Sequence, residues 1–302
     1  MFIKLFTSFV FTLSLVFASD LGKIATGNIN GTYIELGKDI SRLMFEYNIK
    51  IDPIDTLGSS ENLDLLTNDI TKGEDIYWAI VQKDALKYYQ YKNPEKEINK
   101  KIKAVLPIYN EGIHIFVKEG SSFKVDASRN FKVAVSSKHS GSYITAKYLE
   151  SALGAKFDYL FIDFNRAKKF LIANEIDMYI EVIALKNQKF LNITGLDLLE
   201  LHDEMPNNDI YAKKMIDSNT YSWLKKDTSI YTIPSVIITN VIEEENDKTI
   251  EAFIKIILAN YKNLQTTGNK KWKEIDFRNF SSIDESYHHK AKEVYKSLNL
   301  TK

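Results

Sequence analysis

The chain has 302 residues, 40 basic and 40 acidic side chains, and no cysteine. That balance gives nothing to attract nucleic acid or an anionic membrane surface, and the missing cysteines exclude disulfide frameworks, thiolate metal centres and cysteine nucleophiles. Hydrophobic residues at 44 % with only 5 prolines and 12 glycines describe a compact folded chain, long enough for two lobes with a core in each.

Residues 1–18 carry Lys4 and then an apolar run from Leu5 to Phe17, shorter than the roughly 20 residues a membrane span needs. The run ends on Val16-Phe17-Ala18 and predicts an export signal cleaved after Ala18, with an uncleaved anchor as the alternative. Loss of Lys4 leaves the mature chain one net negative charge, and export without disulfides points to a periplasm. Thr26-Gly27-Asn28-Ile29-Asn30-Gly31-Thr32-Tyr33 then reads as a small-residue loop opening a helix. Tyr33, Leu36, Ile40, Leu43 and Met44 follow at helical spacing, and Thr32 with Glu35 predicts a capping box. Such a loop is either a plain helix cap or one jaw of an anion site, since free amides and the helix dipole both favour negative charge.

Ile49–Ile54 alternates like a strand and leads through Gly58-Ser59-Ser60-Glu61-Asn62 into a helix marked by Leu63, Leu66 and Ile70. Ile76–Val81 is a nearly continuous apolar run, expected of a strand buried on both faces. Gln82 stands at its carboxyl end, either as a ligand contact or as the cap of the next helix. Residues 88–103 read as a helix end and a polar loop. Two strands, Ile102–Leu106 and Ile113–Val117, are predicted to flank a turn at Tyr109-Asn110-Glu111-Gly112 that presents Tyr109 to a cleft. His114 lies inside an apolar strand, as a satisfied core residue or a ligand.

A polar stretch, Lys118–Arg129, suggests a crossing to a second lobe, where the pattern restarts. Phe131–Val135 is a strand, Ser136-Ser137-Lys138-His139-Ser140-Gly141-Ser142 a loop, and Ile144, Tyr148, Leu149, Ala152 and Leu153 mark a helix stopped by Gly154. Strands are predicted at Tyr159–Ile162, Ile176–Ile180 (ending on Glu181) and Asp197–Leu201, with helices at Asn165–Ala173 and Asp209–Trp223. Pro234–Thr239 reads as a strand returning to the first lobe, with proline at its start, and helices over 249–264 and 282–298 complete the chain. Strands alternating with helices in both halves predict an α/β fold of two lobes with mostly parallel sheets flanked by helices and a ligand cleft between the lobes. The expected division is signal peptide 1–18, first lobe 19–118, second lobe 119–233, and return to the first lobe 234–302.

The five histidines show no metal-ligand spacing: His114, His139 and His202 are scattered, and His288-His289 are adjacent on a predicted surface helix. Walker and Gly-x-Ser-x-Gly motifs are missing, and Ser140 or Ser142 would be nucleophilic only with a base beside it, so a binding protein without metal or cofactor is expected rather than an enzyme. Helix N-termini on both lobes offer about 0.3–2 kcal/mol each against the roughly 8 kcal/mol of micromolar binding. Closure that excludes water and adds hydrogen bonds from Thr32, Ser60, Gln82 and the serine loop makes up the difference.

Thr26-Gly27 through Gly31-Thr32-Tyr33, Gly58–Leu63, Ile80-Val81-Gln82 with Asp84, Tyr109 with Glu111 and His114, and Ser140-Gly141-Ser142 stand in an order and spacing that resemble the TAXI class of TRAP transporter solute receptors. The resemblance covers nearly the whole mature chain. It implies a periplasmic two-lobed receptor, monomeric, that closes on a small solute such as glutamate or a related dicarboxylate and delivers it to the membrane permease subunits of a TRAP transporter. The implied pocket comprises Gly31, Thr32, Tyr33, Ser59, Ser60, Gln82 and Ser140–Ser142, with Tyr109 and His114. Thr26, Gly27 and Asn28 belong to the same loop. Three positions depart from the family pattern: His139 and Tyr143 replace a glycine and a glutamate, and Glu181 opens the stretch where Gly-Gly-x-Pro is expected. His139, Tyr143 and Glu181 are therefore expected to select the solute. A receptor presenting its ligand to a signalling partner is the alternative.

Overall fold

The computed structural model describes residues 19–67, 75–121, 129–201, 205, 210–275 and 286–300. The predicted signal peptide and His202 lie outside them. Ten strands form one mixed sheet in the order β2-β1-β3-β10-β4-β7-β5-β6, with β8 added to β4 and β9 to β10. They are β1 (Ser19–Ala25), β2 (Ile49–Ile54), β3 (Ile76–Gln82), β4 (Lys103–Lys118), β5 (Asn130–Val135), β6 (Lys156–Phe161), β7 (Met178–Ile183), β8 (Leu196–Leu198), β9 (Ala212–Ile216) and β10 (Thr228–Thr239). The helices are α1 (Thr32–Phe45), α2 (Ser59–Thr67), α3 (Lys83–Lys92), α4 (Ile98–Lys101), α5 (Gly141–Ala152), α6 (Phe164–Ile172), α7 (Asp247–Ala259), α8 (Tyr261–Thr267) and α9 (His289–Ser297).

Among the named strands, parallel pairing lies in the two outer arms, β2-β1-β3 and β6-β5-β7. The middle is antiparallel, because β10 runs against β3, β4 and β9, and β4 against β7 and β8. Two long strands therefore join the arms. β4 gives Val105, Leu106 and Ile108 to one core and Ile113, Ile115 and Val117 to another. β10 does the same with Val236–Ile238 and with Tyr231 and Ile233. The first core lies under α1, α7 and α9, with Trp78 stacked on Phe253 at 4.4 Å between ring centroids. In the other lobe an aromatic group around Phe116, Phe164 and Phe190 packs on the sheet face opposite α5.

Five expectations are corrected. The turn at Tyr109–Gly112 does not exist: β4 is continuous for 16 residues, because the β10 backbone pairs with it through Asn110, Glu111 and Gly112. β10 begins at Thr228, so Pro234 sits inside it, where the register shifts and its missing donor is tolerated. The predicted helix over 209–223 is instead β9 followed by a single 3-10 turn at Ser218–Thr220; antiparallel pairing with β10 overrides the local pattern. Glu181 lies within β7 rather than past its end. The capping box does not form, because Gly31 is the N-cap of α1, Thr32 is its first residue, and Glu35 pairs with Lys38.

Candidate functional site

The helix starts α1, α3 and α5 and the middle of β4 meet on one face of the sheet. Tyr109, Glu111 and Ile113 share that face of β4 by the two-residue alternation of a strand. Glu111 is 4 % exposed and accepts hydrogen bonds from the Tyr33 hydroxyl at the start of α1 and from the Gln82 amide, while the Ser235 hydroxyl beside it donates to the Tyr109 carbonyl (2.7 Å). None of these partners is a cation. Burial, reinforced by the nearby Asp84 carboxylate, pushes the Glu111 carboxyl up to about 8 despite those bonds. Tyr109 meets the Tyr33 ring edge-on at 6.4 Å and shares a hydrogen bond with the Thr32 hydroxyl.

Gln82 is 3 % exposed, its amide N–H donates to Ser59 Oγ (3.1 Å), and its side-chain Oε1 has no hydrogen-bond partner. Asp84, fully buried on α3, accepts from Thr145 of α5 (2.6 Å) and from the Tyr211 hydroxyl (2.9 Å) through Oδ2, while Oδ1 has no partner. Burial raises its carboxyl to about 6, partly offset by those two hydroxyls and by the backbone amides of Asp84 and Ala85 at the start of α3.

Asp84 thus belongs to one lobe and its partners to the other, and the lobes meet tightly around it. The Glu61 amide donates to the His139 carbonyl at 3.3 Å. Gly58, at φ +118°, would bring a Cβ to 3.5 Å from Ser140 Cα, and a Cβ on Gly141 would fall 2.0 Å from Gln82 Oε1. Gly141 therefore permits this close approach, whereas Gly58 is called for by its positive φ, a Cβ there meeting Ser140 only at ordinary contact distance. Asn62 braces it from behind, with its amide donating to the Thr26 (2.6 Å) and Ile80 (2.7 Å) carbonyls and its oxygen accepting from Thr56.

Of the residues expected at the site, the structure brings Thr32, Tyr33 and Tyr109 together beside Glu111, and Ser59, Gln82, His139, Ser140 and Gly141 together where the lobes meet, with Gly31 and Ser60 adjacent in the chain to Thr32 and Ser59. Thr26 and Gly27 support the loop: the Thr26 hydroxyl donates to the Ile54 carbonyl, and the Gly27 carbonyl accepts from Thr56. Ser140 caps α5 by accepting from the Tyr143 amide and donates to the Ser137 carbonyl, and Ser142 Oγ accepts from the Val182 amide. Both hydroxyls are thus held by backbone.

Four expected residues are placed elsewhere. Asn28 is exposed and closes a turn onto the Asn30 amide. Tyr143 packs on Tyr159 and Phe161 on the outer side of α5. His114 falls on the opposite face of β4 from Glu111, with Nδ1 against the Gly112 carbonyl and Nε2 against the Tyr221 hydroxyl (2.6 Å); burial lowers its pKa to about 4. Glu181, paired in register with His114, shares that opposite face and is held by Lys189 (2.6 and 2.7 Å) and Tyr179 (2.6 Å). Thr145, Tyr211 and Ser235 were not legible as site residues. Glu111 carries no local signal of its own beyond its two-residue alternation with Tyr109.

His288 is buried rather than on a surface helix, and Asp247, His288 and His289 bring ligand-type atoms within 4.8 Å of one another. His288 Nδ1 accepts the Lys290 amide, which puts the neutral ring's proton on Nε2, and the Lys290 ammonium lies 3.6 Å from Asp247. With no lone pair left on His288 and a cation already present, the group acts as a helix cap with an ion pair.

Among the described residues no helix is long and apolar enough to cross a membrane. The chain is similar in fold to a Candida albicans gene product with the generic periplasmic binding protein fold (TM-score 0.53, 15 % identity, 91 % of this chain and 80 % of that one). It is also similar to a periplasmic transporter (TM-score 0.54, 9 % identity, 93 % and 94 %) and to YhfZ from Shigella flexneri (TM-score 0.51, 12 % identity, 84 % and 94 %). No curated protein sequence matches it. The fold is that of the periplasmic binding proteins, and the family model for NMT1-like proteins matches residues 24–296, so the chain belongs to the NMT1-like family.

Proposed function

We propose that this chain is an exported solute receptor that traps a small organic acid or amino acid between its lobes and delivers it to the permease of a TRAP-type secondary transporter. The observation that carries the reading is the buried polar cluster shared by both lobes, in which Asp84 of α3 takes hydrogen bonds from Thr145 and Tyr211 while Gln82 lies against Gly141. Polar groups of this kind are costly to bury without a purpose, and a ligand that exchanges its hydration for them gains most when closure excludes water. The start of α1 above Tyr33 and that of α5 behind Ser140 supply amides for a carboxylate on the same face. Delivery to a TRAP permease rests on the sequence resemblance to TAXI receptors.

The test is a thermal-shift screen of the mature protein over amino acids, dicarboxylates and 2-oxoacids, followed by small-angle scattering with each hit. A receptor gains stability by mass action and becomes more compact at saturation. An unchanged radius of gyration with a saturating hit would sink hinge closure.

A further inference from the structure

We infer that the cleft is built for a ligand carrying a protonated amine, which Gln82 Oε1, Asp84 Oδ1 and the Glu111 carboxylate receive together. The inference rests on the receptor reading above and assigns the chemistry of its ligand.

The three groups are acceptors. Gln82 Oε1 and Asp84 Oδ1 lack any hydrogen-bond partner, on side chains that are 3 % and 0 % exposed. The third, Glu111, is bonded only to neutral donors, the Tyr33 hydroxyl and the Gln82 amide. They are neighbours, since the Gln82 amide donates to Glu111 and the Asp84 charge is felt there. An ammonium group has three donors and no acceptor, and so supplies what this trio lacks. It also neutralises an acidic pair that has no ion-pair partner among the described residues, and this matches the upward push that burial gives both carboxyls. The Tyr33 ring beside Glu111 suits a cation as well, whereas the Tyr109 ring already has the Lys271 ammonium 5.9 Å from its centroid. A second carboxylate from a dicarboxylate would instead meet two acids and an amide oxygen, with a like-charge penalty in a dry site.

Neighbouring acids elsewhere in the chain do not share this character. Glu181 has Lys189, Asp39 has Arg42 with the Trp272 indole and the Asn269 amide, and Glu150 has Lys147 with the Phe157 amide. Among the described residues Asn240 Oδ1 is also a buried acceptor without a partner, but it stands beside no buried acid; the missing donors next to carboxylates that lack a cation fall where the lobes meet.

The experiment uses matched pairs that differ by an amino group: L-glutamate and glutarate, L-aspartate and succinate, L-leucine and 4-methylpentanoate. Each is titrated into the mature protein by calorimetry, with scattering at saturation and with sodium and calcium chloride alone as controls. The expected result is that the amine-bearing member of at least one pair binds at least 100-fold tighter than its partner. Glu111→Gln and Asp84→Asn, both isosteric, each weaken that binding at least tenfold while keeping the unliganded scattering profile. Equal or tighter binding of the deaminated partner, with compaction, overturns the amine site and leaves the receptor standing. Undiminished affinity in both variants does the same. Stabilisation by either salt alone that vanishes in both variants assigns the acceptors to a metal cation and overturns the inference. Compaction by no compound of the panel counts against the receptor and the amine site together.

Discussion

Glu111 on β4 and Glu181 on β7 are buried carboxylates on neighbouring strands, 4 % and 8 % exposed, and the fold treats them oppositely. Glu181 has its own cation, Lys189, within 2.7 Å and a tyrosine hydroxyl besides. Glu111 has a tyrosine and an amide, and a second acid nearby. The first is a finished structural pair. The second is held rigid without a cation beside it, so that its own proton is what neutralises it, and it lies where the helix starts of both lobes converge. Parity along the strands makes the difference: Tyr109 and Glu111 point to the cleft face, His114 and Glu181 to the face covered by Phe116, Phe164 and Phe190.

The largest expected effect concerns pH. The carboxyl of Glu111 ionises at about 8 in the folded protein against an ordinary 4.5. Below about pH 4.5 both states hold the proton. Between there and pH 8 the unfolded chain releases it and the folded chain does not, so stability falls as pH rises and levels off above 8. The raised carboxyl accounts for a loss on the order of 5 kcal/mol across that window. Urea unfolding of wild type and Glu111→Gln at intervals from pH 4.5 to 8.5 reads this as a difference, which cancels other titrating groups; superimposable profiles would show that Glu111 is not held in this state.

Next comes the paired acid. Lys189→Met leaves the Glu181 carboxylate buried without its cation and costs about 2–3 kcal/mol, below the range for fully buried pairs because the lysine side chain keeps 36 % of its surface in water. Solute affinity should stay within twofold, since this pair lies on the far face of the sheet. A large loss of affinity without loss of stability would return Glu181 to the role of solute selector.

Most elements were legible because their signals were local: the helical spacing of Leu36, Ile40 and Leu43, the apolar run Ile76–Val81, the small-residue loop before α5. The two crossing strands were not. Tyr109 to Gly112 reads as a turn until β10 is laid beside it, and Ala212–Ile216 becomes a strand only through the same partner. Long-range pairing decided both, and no window of sequence contains it. At the site, the loops were legible by their small residues, whereas Tyr211 and Ser235 reach it from 127 and 126 residues away from the groups they bond. Glu111 and His114 were separable by counting parity along one strand, once that strand is known to be continuous.

Smaller effects lie on either side of the comparison. Beside Glu181, Ser142→Ala removes the acceptor of the Val182 amide (3.0 Å) and orphans a buried N–H, at about 1–2 kcal/mol in urea unfolding. No loss would mean that water or a neighbour replaces the hydroxyl.

Beside Glu111, Thr32→Ala should cost less still. Thr32 is half-buried at the first position of α1, where Gly31 rather than Thr32 holds the cap position and no side chain caps the helix. The substitution therefore forfeits only its hydrogen bond to the buried Tyr109 hydroxyl, about 0.5–1 kcal/mol, and not the cost of a lost cap, up to about 2 kcal/mol. Tyr109 is the ring against which Tyr33, and through it Glu111, is positioned. The same variant should thus weaken solute binding about fivefold, through looser placement of the carboxylate. Calorimetry and urea unfolding on one preparation separate the two effects. A stability loss near 2 kcal/mol with unchanged affinity would make Thr32 a cap after all, and would remove α1 from the side of the molecule that Glu111 organises.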